Sequence, residues 1–257
     1  MVKSSLKKYL EQDKLSLGTW ITLGHASIAE IFANAGFDWL VVDLEHSTIS
    51  LDQAGELIRT IDLAGVAPLV RLTSNDINQI KRVMDAGAHG IVVPNVNTPQ
   101  EARDAVSATR YAPLGRRGVG LGRAQEYGPG FRDYLEWQKD GPVVIVMIEH
   151  QSALDHLEDI FAVPGVDGFI IGPYDLSCSM GIPGEFERPE FTAVMQRILK
   201  TGLKAGCSAG LHIVEPDPIY LRQAISEGYR LIAYGVDIRM LDISARAGIE
   251  VAKASEK

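Results

Sequence analysis

APLVRLTSNDINQIKRVMDAGAHGIVVPNV, residues 67–96, holds one complete structural unit. Residues 67–72 form a short apolar run of strand character. Asp76 opens a helix-period stretch that runs to Ala86, and Gly87 follows as a stop signal. Residues 90–96 form a second apolar run. A strand, a helix and a strand joined in this way pair in parallel through a right-handed crossover. Both runs are continuously apolar rather than alternating, which fits strands covered on both faces.

The same unit repeats outward in both directions. Upstream, strand-like runs at 17–23 and 37–46 are followed by helix patterns at 27–35 and 51–64. Downstream, a helix is expected at Pro99–Thr109, then strands at 143–150, 166–173, 208–214 and 229–237. Helices are expected at 153–162, Pro189–Ala205, Pro218–Glu227 and from about 238 onward. Eight strand–helix units in one chain predict a single α/β domain over residues 1–257, a closed (β/α)₈ TIM barrel. MVKSSLKKYLEQDK at the start reads as a short amphipathic N-terminal helix. A doubly wound open sheet is the competing fold, but TLGHAS after the first strand lacks its glycine-rich loop. Two segments break the spacing. Residues 110–140 are too long for a simple connection, and residues 174–188 read as a long loop after the sixth strand.

Composition narrows the class. With 257 residues, 46% of them hydrophobic and 23% charged, the chain is an ordinary globular one. A net charge of -8 argues against nucleic acid as a partner. No apolar run approaches the roughly 20 residues a bilayer span needs, so no membrane partner is expected. Two cysteines, Cys178 and Cys207, suit reduced thiols in a cytoplasm, and the charged N-terminus does not read as a secretory signal.

In a barrel, polar residues at the strands' carboxyl ends converge on one mouth. Here these are Asp43, Glu45 and His46, Arg71, Glu149 and His150, Gly172–Pro173–Tyr174–Asp175, His212 and Asp237. No lysine ends a strand, which disfavours a Schiff base. A nucleophile elbow and a P-loop are both absent. Glu149 and Asp175 end adjacent strands, and two carboxylates with water or substrate completing the shell suit Mg²⁺ or Mn²⁺. Arg71 can fork onto a carboxylate, and His46 can act as a base. Such a set suits proton abstraction beside a carbonyl.

The order FDWLVVDLEH, PLVRL, VMDAGAHGIVVPNV, SATRYAPLGRRGVG, MIEH and GVDGFIIGPYDLSCSMG resembles the HpcH/HpaI family of metal-dependent pyruvate aldolases over nearly the whole chain. The resemblance implies a barrel that cleaves a 4-hydroxy-2-oxo acid to pyruvate, or a related 2-oxo acid, and an aldehyde, and that runs the reverse addition. It places the base on His46, its carboxylate partner on Asp85, and the pyruvate-binding arginine on Arg71. It places the metal on Glu149 and Asp175, with Mg²⁺, Mn²⁺ or Co²⁺ as the ion. The substrate carboxylate would meet the backbone of Gly172, Pro173 and Tyr174, and Asp43 and Glu45 would lie beside the metal's water and the histidine. It also implies a homohexamer, a trimer of dimers with exchanged C-terminal helices, and an arm carrying Arg116, Arg117 and Arg123 that reaches a neighbouring subunit.

Met147 departs from the family pattern. Glutamine usually stands there and helps hold the keto acid, whereas a thioether donates no hydrogen bond. Tyr174 stands where small residues are common. A second reading therefore stays open: a citrate-synthase-like enzyme joining a keto dicarboxylate to an acetyl-CoA-derived unit. A third is a catalytically silent, acid-binding barrel. Among the remaining polar residues, His150 is expected to pack on the outer layer, His89 and His156 to lie on the surface, and Asp237 to cap a helix. His212 stands open between pocket wall and core, and His25 between a cap and a substrate contact. Cys178 has no basic neighbour in sequence and is not read as a nucleophile.

Overall fold

The computed structural model describes residues 6–255, so the first five residues of the expected N-terminal helix lie outside it. Eight parallel strands close on themselves in sequence order. They are β1 (Ser16–Ile21), β2 (Trp39–Asp43), β3 (Ala67–Arg71), β4 (Gly90–Val93), β5 (Val143–Ile148), β6 (Gly168–Ile171), β7 (Ser208–Ile213) and β8 (Leu231–Val236). The helices are α1 (Leu6–Glu11), α2 (Ala26–Ala35), α3 (Leu51–Leu63), α4 (Ile77–Asp85), α5 (Pro99–Thr109) and α6 (Phe131–Trp137), followed by α7 (Leu157–Phe161), α8 (Pro173–Ser179), α9 (Pro189–Ala205), α10 (Pro218–Glu227) and α11 (Asp237–Ala254). Among the described residues no helix is long and apolar enough to cross a membrane.

Period-2 alternation divides each strand between two cores. Val144, Val146 and Ile148 face the helices, while Val143, Ile145 and Met147 fill the barrel. Trp20 and Trp39 are buried in that interior, and close approach has a local requirement. A Cβ at Gly18 would lie 2.0 Å from the Trp39 ring, so only glycine admits the indole. Leu6 and Leu10 of α1 join the same interior cluster and cover the amino end of the barrel. Lys7 pairs there with Asp167.

Two elements and two histidines depart from the sequence reading. The stretch 174–188 does not begin as a loop, because α8 starts at Pro173. Gly172 precedes it, proline fits the first helical turn, and Asp175 lies in that turn, where negative charge is favoured. The expected helix 153–162 is a 3₁₀ turn, Gln151–His156, leading into the short α7. His150 caps that turn, its ring accepting from the Ser152 N–H, and is exposed rather than packed on the outer layer. His89 is buried against Asp62 at 3.0 Å, not on the surface. His25 caps α2 and His156 is exposed. Asp237 ties β1 to α11 by accepting from the N–H groups of Thr22, Leu23 and Ile238.

The 110–140 arm folds against its own barrel. Arg117 is buried and donates to Asp85, Tyr134 Oη and the Thr109 carbonyl. Arg123 pairs with Asp62, and Arg116 with Asp104. These three side chains are thus engaged within the chain.

Candidate active site

The sheet register sets Asp43, the last residue of β2, beside Arg71, the last of β3. The Asp43 carboxylate accepts Arg71 Nε at 2.8 Å and Nη2 at 2.6 Å. It also accepts the N–H groups of Glu45 and His46. Burial works to raise the Asp43 carboxyl, but the Arg71 fork and these N–H groups outweigh it and hold it below its ordinary value. Arg71 is thereby fixed in plane. Its guanidinium lies 4.3 Å from the Trp20 ring centroid, and Nη1 lies 3.4 Å from Glu45. A guanidinium has five N–H groups, so several remain for a ligand above it.

Glu149 continues the inward face of β5 one step beyond Met147, and it is buried. Its Oε1 accepts the Asn95 N–H at 2.7 Å. Asn95 adopts φ 52, a left-handed conformation that asparagine tolerates better than most residues. Burial pushes the Glu149 carboxyl up to about 7, with Glu45 and Asp175 adding to the rise and Asn95 and Arg71 opposing it. Burial likewise raises Glu45, whose Oε2 is buried without a hydrogen-bond partner. Asp175, exposed in the first turn of α8, acts on both. Gly172 makes room for this group, since a Cβ there would lie 2.7 Å from Glu149 Oε2.

Among the described residues no set of three or more His, Cys, Asp or Glu side chains is arranged to hold a metal. What the mouth offers is an all-oxygen pair, Glu149 and Asp175, with Glu45 beside it. Three carboxyls face one arginine whose charge Asp43 already offsets. That deficit of positive charge fits a hard divalent cation whose remaining ligands are water and substrate oxygens.

His46 stands at the rim, exposed, with Nε2 3.8 Å from Glu45. Met147 lines the barrel floor, and Pro173 and Tyr174 begin α8, with Tyr174 edge-on to Phe186. Asp85 is not brought to His46 in this chain. It ends α4, which runs back antiparallel to the strands, so it lies near the start of β4 and is bound by Arg117. The sequence reading missed Trp20 beneath Arg71 and the Asn95 N–H on Glu149. Inward alternation along the first strand pointed to Trp20, whereas nothing in residue type marked Asn95. His212 faces inward, half-buried, its ring 5.2 Å from Trp20 and Nε2 3.3 Å from the Gly235 carbonyl. Burial and Arg71 push its pKa down to about 3, so it is neutral. It also borders a cavity of about 760 Å³ that starts at Pro173 and Tyr174 and continues between α9 and α10. Cys178 is exposed beside the site, while burial raises the Cys207 thiol to about 12.

Residues 16–242 match the family model described as HpcH/HpaI aldolase/citrate lyase. The chain is 37% identical to the hydroxypyruvate/pyruvate aldolase of Sagittula stellata over 95% of this chain and 96% of that one. It is 35% identical to the 2-keto-3-deoxy-L-rhamnonate aldolase of Escherichia coli K12, over 92% and 88%. The crystal structure of an HpcH/HpaI aldolase/citrate lyase family protein from Burkholderia cenocepacia superposes with a TM-score of 0.91 at 35% identity, covering 98% of this chain and 100% of that chain. The citrate synthase SbnG is more distant in sequence, at 26% identity with a TM-score of 0.86 over 98% of each chain.

Proposed function

The chain belongs to the HpcH/HpaI aldolase/citrate lyase family, and we propose that it is a divalent-metal-dependent aldolase acting on 4-hydroxy-2-oxo acids. One observation carries the reading: a guanidinium locked by Asp43 beside three carboxyls, Glu45, Glu149 and Asp175, whose combined charge one arginine does not offset. Glu149 and Asp175 would hold Mg²⁺ or Mn²⁺, with Co²⁺ a third candidate. The ion, when bound, would draw electrons from the 2-oxo group and offset charge on the enolate oxygen.

The chain's own groups do the rest. Arg71, itself buried, steadies the oxygen on which charge develops. At Gly172–Pro173–Tyr174 the substrate carboxylate would meet the N–H groups that open α8 from Tyr174 onward, since Pro173 has none and the Gly172 N–H is donated to the Ile148 carbonyl. His46 removes the proton of the 4-hydroxyl, directly or through water. The C3–C4 bond then breaks, C4 departs as the aldehyde, and the electron pair remains as an enolate. Protonation at C3 gives pyruvate or its analogue, and the reverse sequence forms the bond. Glu45 keeps the imidazole at hand. Asp85 can serve His46 only from a second chain, because within its own chain it holds Arg117.

Assembly as a homo-oligomer, with a hexamer as the expected form, has independent support in α11. Only Asp237 of its 18 residues is buried, while Ile238, Leu241, Ile243, Ile249 and Val251 face water. Such an apolar helix is ordinarily covered. We place the enzyme in a reducing cytoplasm, consistent with two free thiols.

The test is pyruvate release from a panel of 4-hydroxy-2-oxo acids with Mg²⁺, Mn²⁺ and Co²⁺ in turn, through a lactate-dehydrogenase-coupled assay. Metal-dependent release is expected, and EDTA should abolish it. Met147, apolar and 2% exposed where an amide donor would help hold a keto acid, favours a second reading as a condensing enzyme. Citrate formation from oxaloacetate and acetyl-CoA, with no pyruvate release from any hydroxy-oxo acid, would select that reading.

A further inference from the structure

The ring of helices stands open between α9 and α10. Helix α10 buries only Ala224 of its ten residues, and between it and α9 runs the cavity of about 760 Å³ that begins at Pro173 and Tyr174. Small-molecule sites have volumes on the order of 300–1,000 Å³. One wall is a file of rings: Tyr174 meets Phe186 edge-on at 4.9 Å, and Phe186 meets Phe191 at 5.4 Å. Tyr220 of α10 and Tyr229, just beyond that helix, complete the aromatic lining.

The lining carries charge of one sign. Glu187, Glu215, Asp217 and Glu227 belong to it, and no lysine or arginine does. Two of the four are already used: Arg239 pairs with Glu215, and Asp217 caps α10. Glu187 and Glu227 have no cationic partner among the described residues, and Glu227 meets the neutral Gln223 amide at 2.7 Å. They stand toward opposite ends of the groove. Helices α9 and α10 run in the same direction, Glu187 lies just before α9, and Glu227 ends α10. A ten-residue helix makes that separation about 15 Å. Tyr220 lies between them, and while burial raises its phenol, Glu227 and Glu187 add to the rise.

A second, independent observation lies at the Glu227 end. Tyr229 is only 2% exposed and lines the cavity, yet its hydroxyl has no hydrogen-bond partner among the described residues. Burial raises this phenol, and Tyr220 and Glu227 add to the rise, so the hydroxyl lies near both. A buried polar group is ordinarily paired, and here the chain supplies no partner. A matching ligand brings a cation to each of Glu187 and Glu227, an N–H group to the Tyr229 oxygen, and an apolar body to the rings between them. We propose that the α9–α10 groove binds a linear alkyl polyamine, with one ammonium at Glu227 and Tyr229, another at Glu187, and the methylenes along Phe186, Phe191 and Tyr220. The assignment does not depend on which reaction the barrel mouth performs.

The experiment is a calorimetric titration of the full-length protein, as it assembles in solution, with spermidine. Excess Mg²⁺ is present so that spermidine does not compete for the carboxylates of the mouth. Saturable binding at one site per chain is expected, and butylamine, with a single ammonium, should bind at least tenfold more weakly. Glu227→Gln and Tyr229→Phe should each lower spermidine affinity at least threefold. Glu56→Gln, an equal loss of charge at an exposed position of α3, should leave it unchanged. Absence of saturable binding, as when a second chain fills the groove, overturns the assignment. So does butylamine binding as tightly as spermidine, an affinity unchanged in Glu227→Gln or Tyr229→Phe, or an equal loss in Glu56→Gln, since each would show attraction to the net charge of -8 rather than to the groove. Glu227 lies on the exposed rim, so its variant decides the matter even if Tyr229→Phe does not fold.

Discussion

Glu149 ties pH, metal and stability together. Its carboxyl stands at about 7 in the folded chain against 4.5 for an ordinary glutamate. Between those values the native state holds the proton more tightly than the unfolded state. Metal-free protein therefore loses stability as pH rises through that window, on the order of 3 kcal/mol in total. Thermal unfolding in EDTA should show this decline for wild type and not for Glu149→Gln, and Mn²⁺ should restore wild type most strongly above pH 7. A flat wild-type profile refutes the account. Arg71→Lys keeps the charge but cannot fork onto Asp43, so solvent deuterium exchange into the pyruvate methyl should slow by about a hundredfold, near 3 kcal/mol. Wild-type exchange in this variant would show that the fork does not matter. Asp43, Glu45, Arg71, Glu149 and Asp175 were legible because each lies at or just beyond a strand end, where barrel topology alone fixes its place. His89 and Asp85 were not, because their settings depend on Asp62 and Arg117, far away in sequence.

At the scale of elements, the β6–α8 junction builds the site. Gly172→Ala should fold, yet its methyl would occupy the space of Glu149 Oε2, and Mn²⁺ affinity by calorimetry should fall at least tenfold. Unchanged affinity would mean that the carboxylate yields freely. The arm depends on one buried cation. Arg117→Ala leaves Asp85 without its guanidinium and takes a donor from Tyr134 Oη, and should cost about 3–5 kcal/mol in urea unfolding, with new protease cuts between 110 and 140. A loss below 1 kcal/mol would show that the arm's other contacts, the Arg123–Asp62 pair among them, hold it without Arg117. Helices with regular apolar periods, such as α5, α9 and α10, matched their sequence bounds. Helix α8 did not stand out because it is seven residues long, and its start is set by Gly172 and Pro173 rather than by periodicity.

The whole molecule leaves α11 largely uncovered, and light scattering should report an assembly well above one chain. Removing residues 240–257 should reduce that mass; a monomer of full activity would contradict the proposal. The closed barrel was readable from eight repeated units, whereas α11's lack of cover involves surfaces that no single chain's pattern specifies. The barrel is also a vessel with one opening. Leu6 and Leu10 stopper its far end and side chains fill its bore, so traffic in both directions uses the same doorway. The molecule seated on Trp20 and Arg71 must arrive first and depart last, because a second reactant above it blocks the exit. In the cleavage direction the aldehyde then leaves ahead of the 2-oxo acid. Product-inhibition kinetics should accordingly show the 2-oxo acid competing with the substrate, and the aldehyde acting noncompetitively.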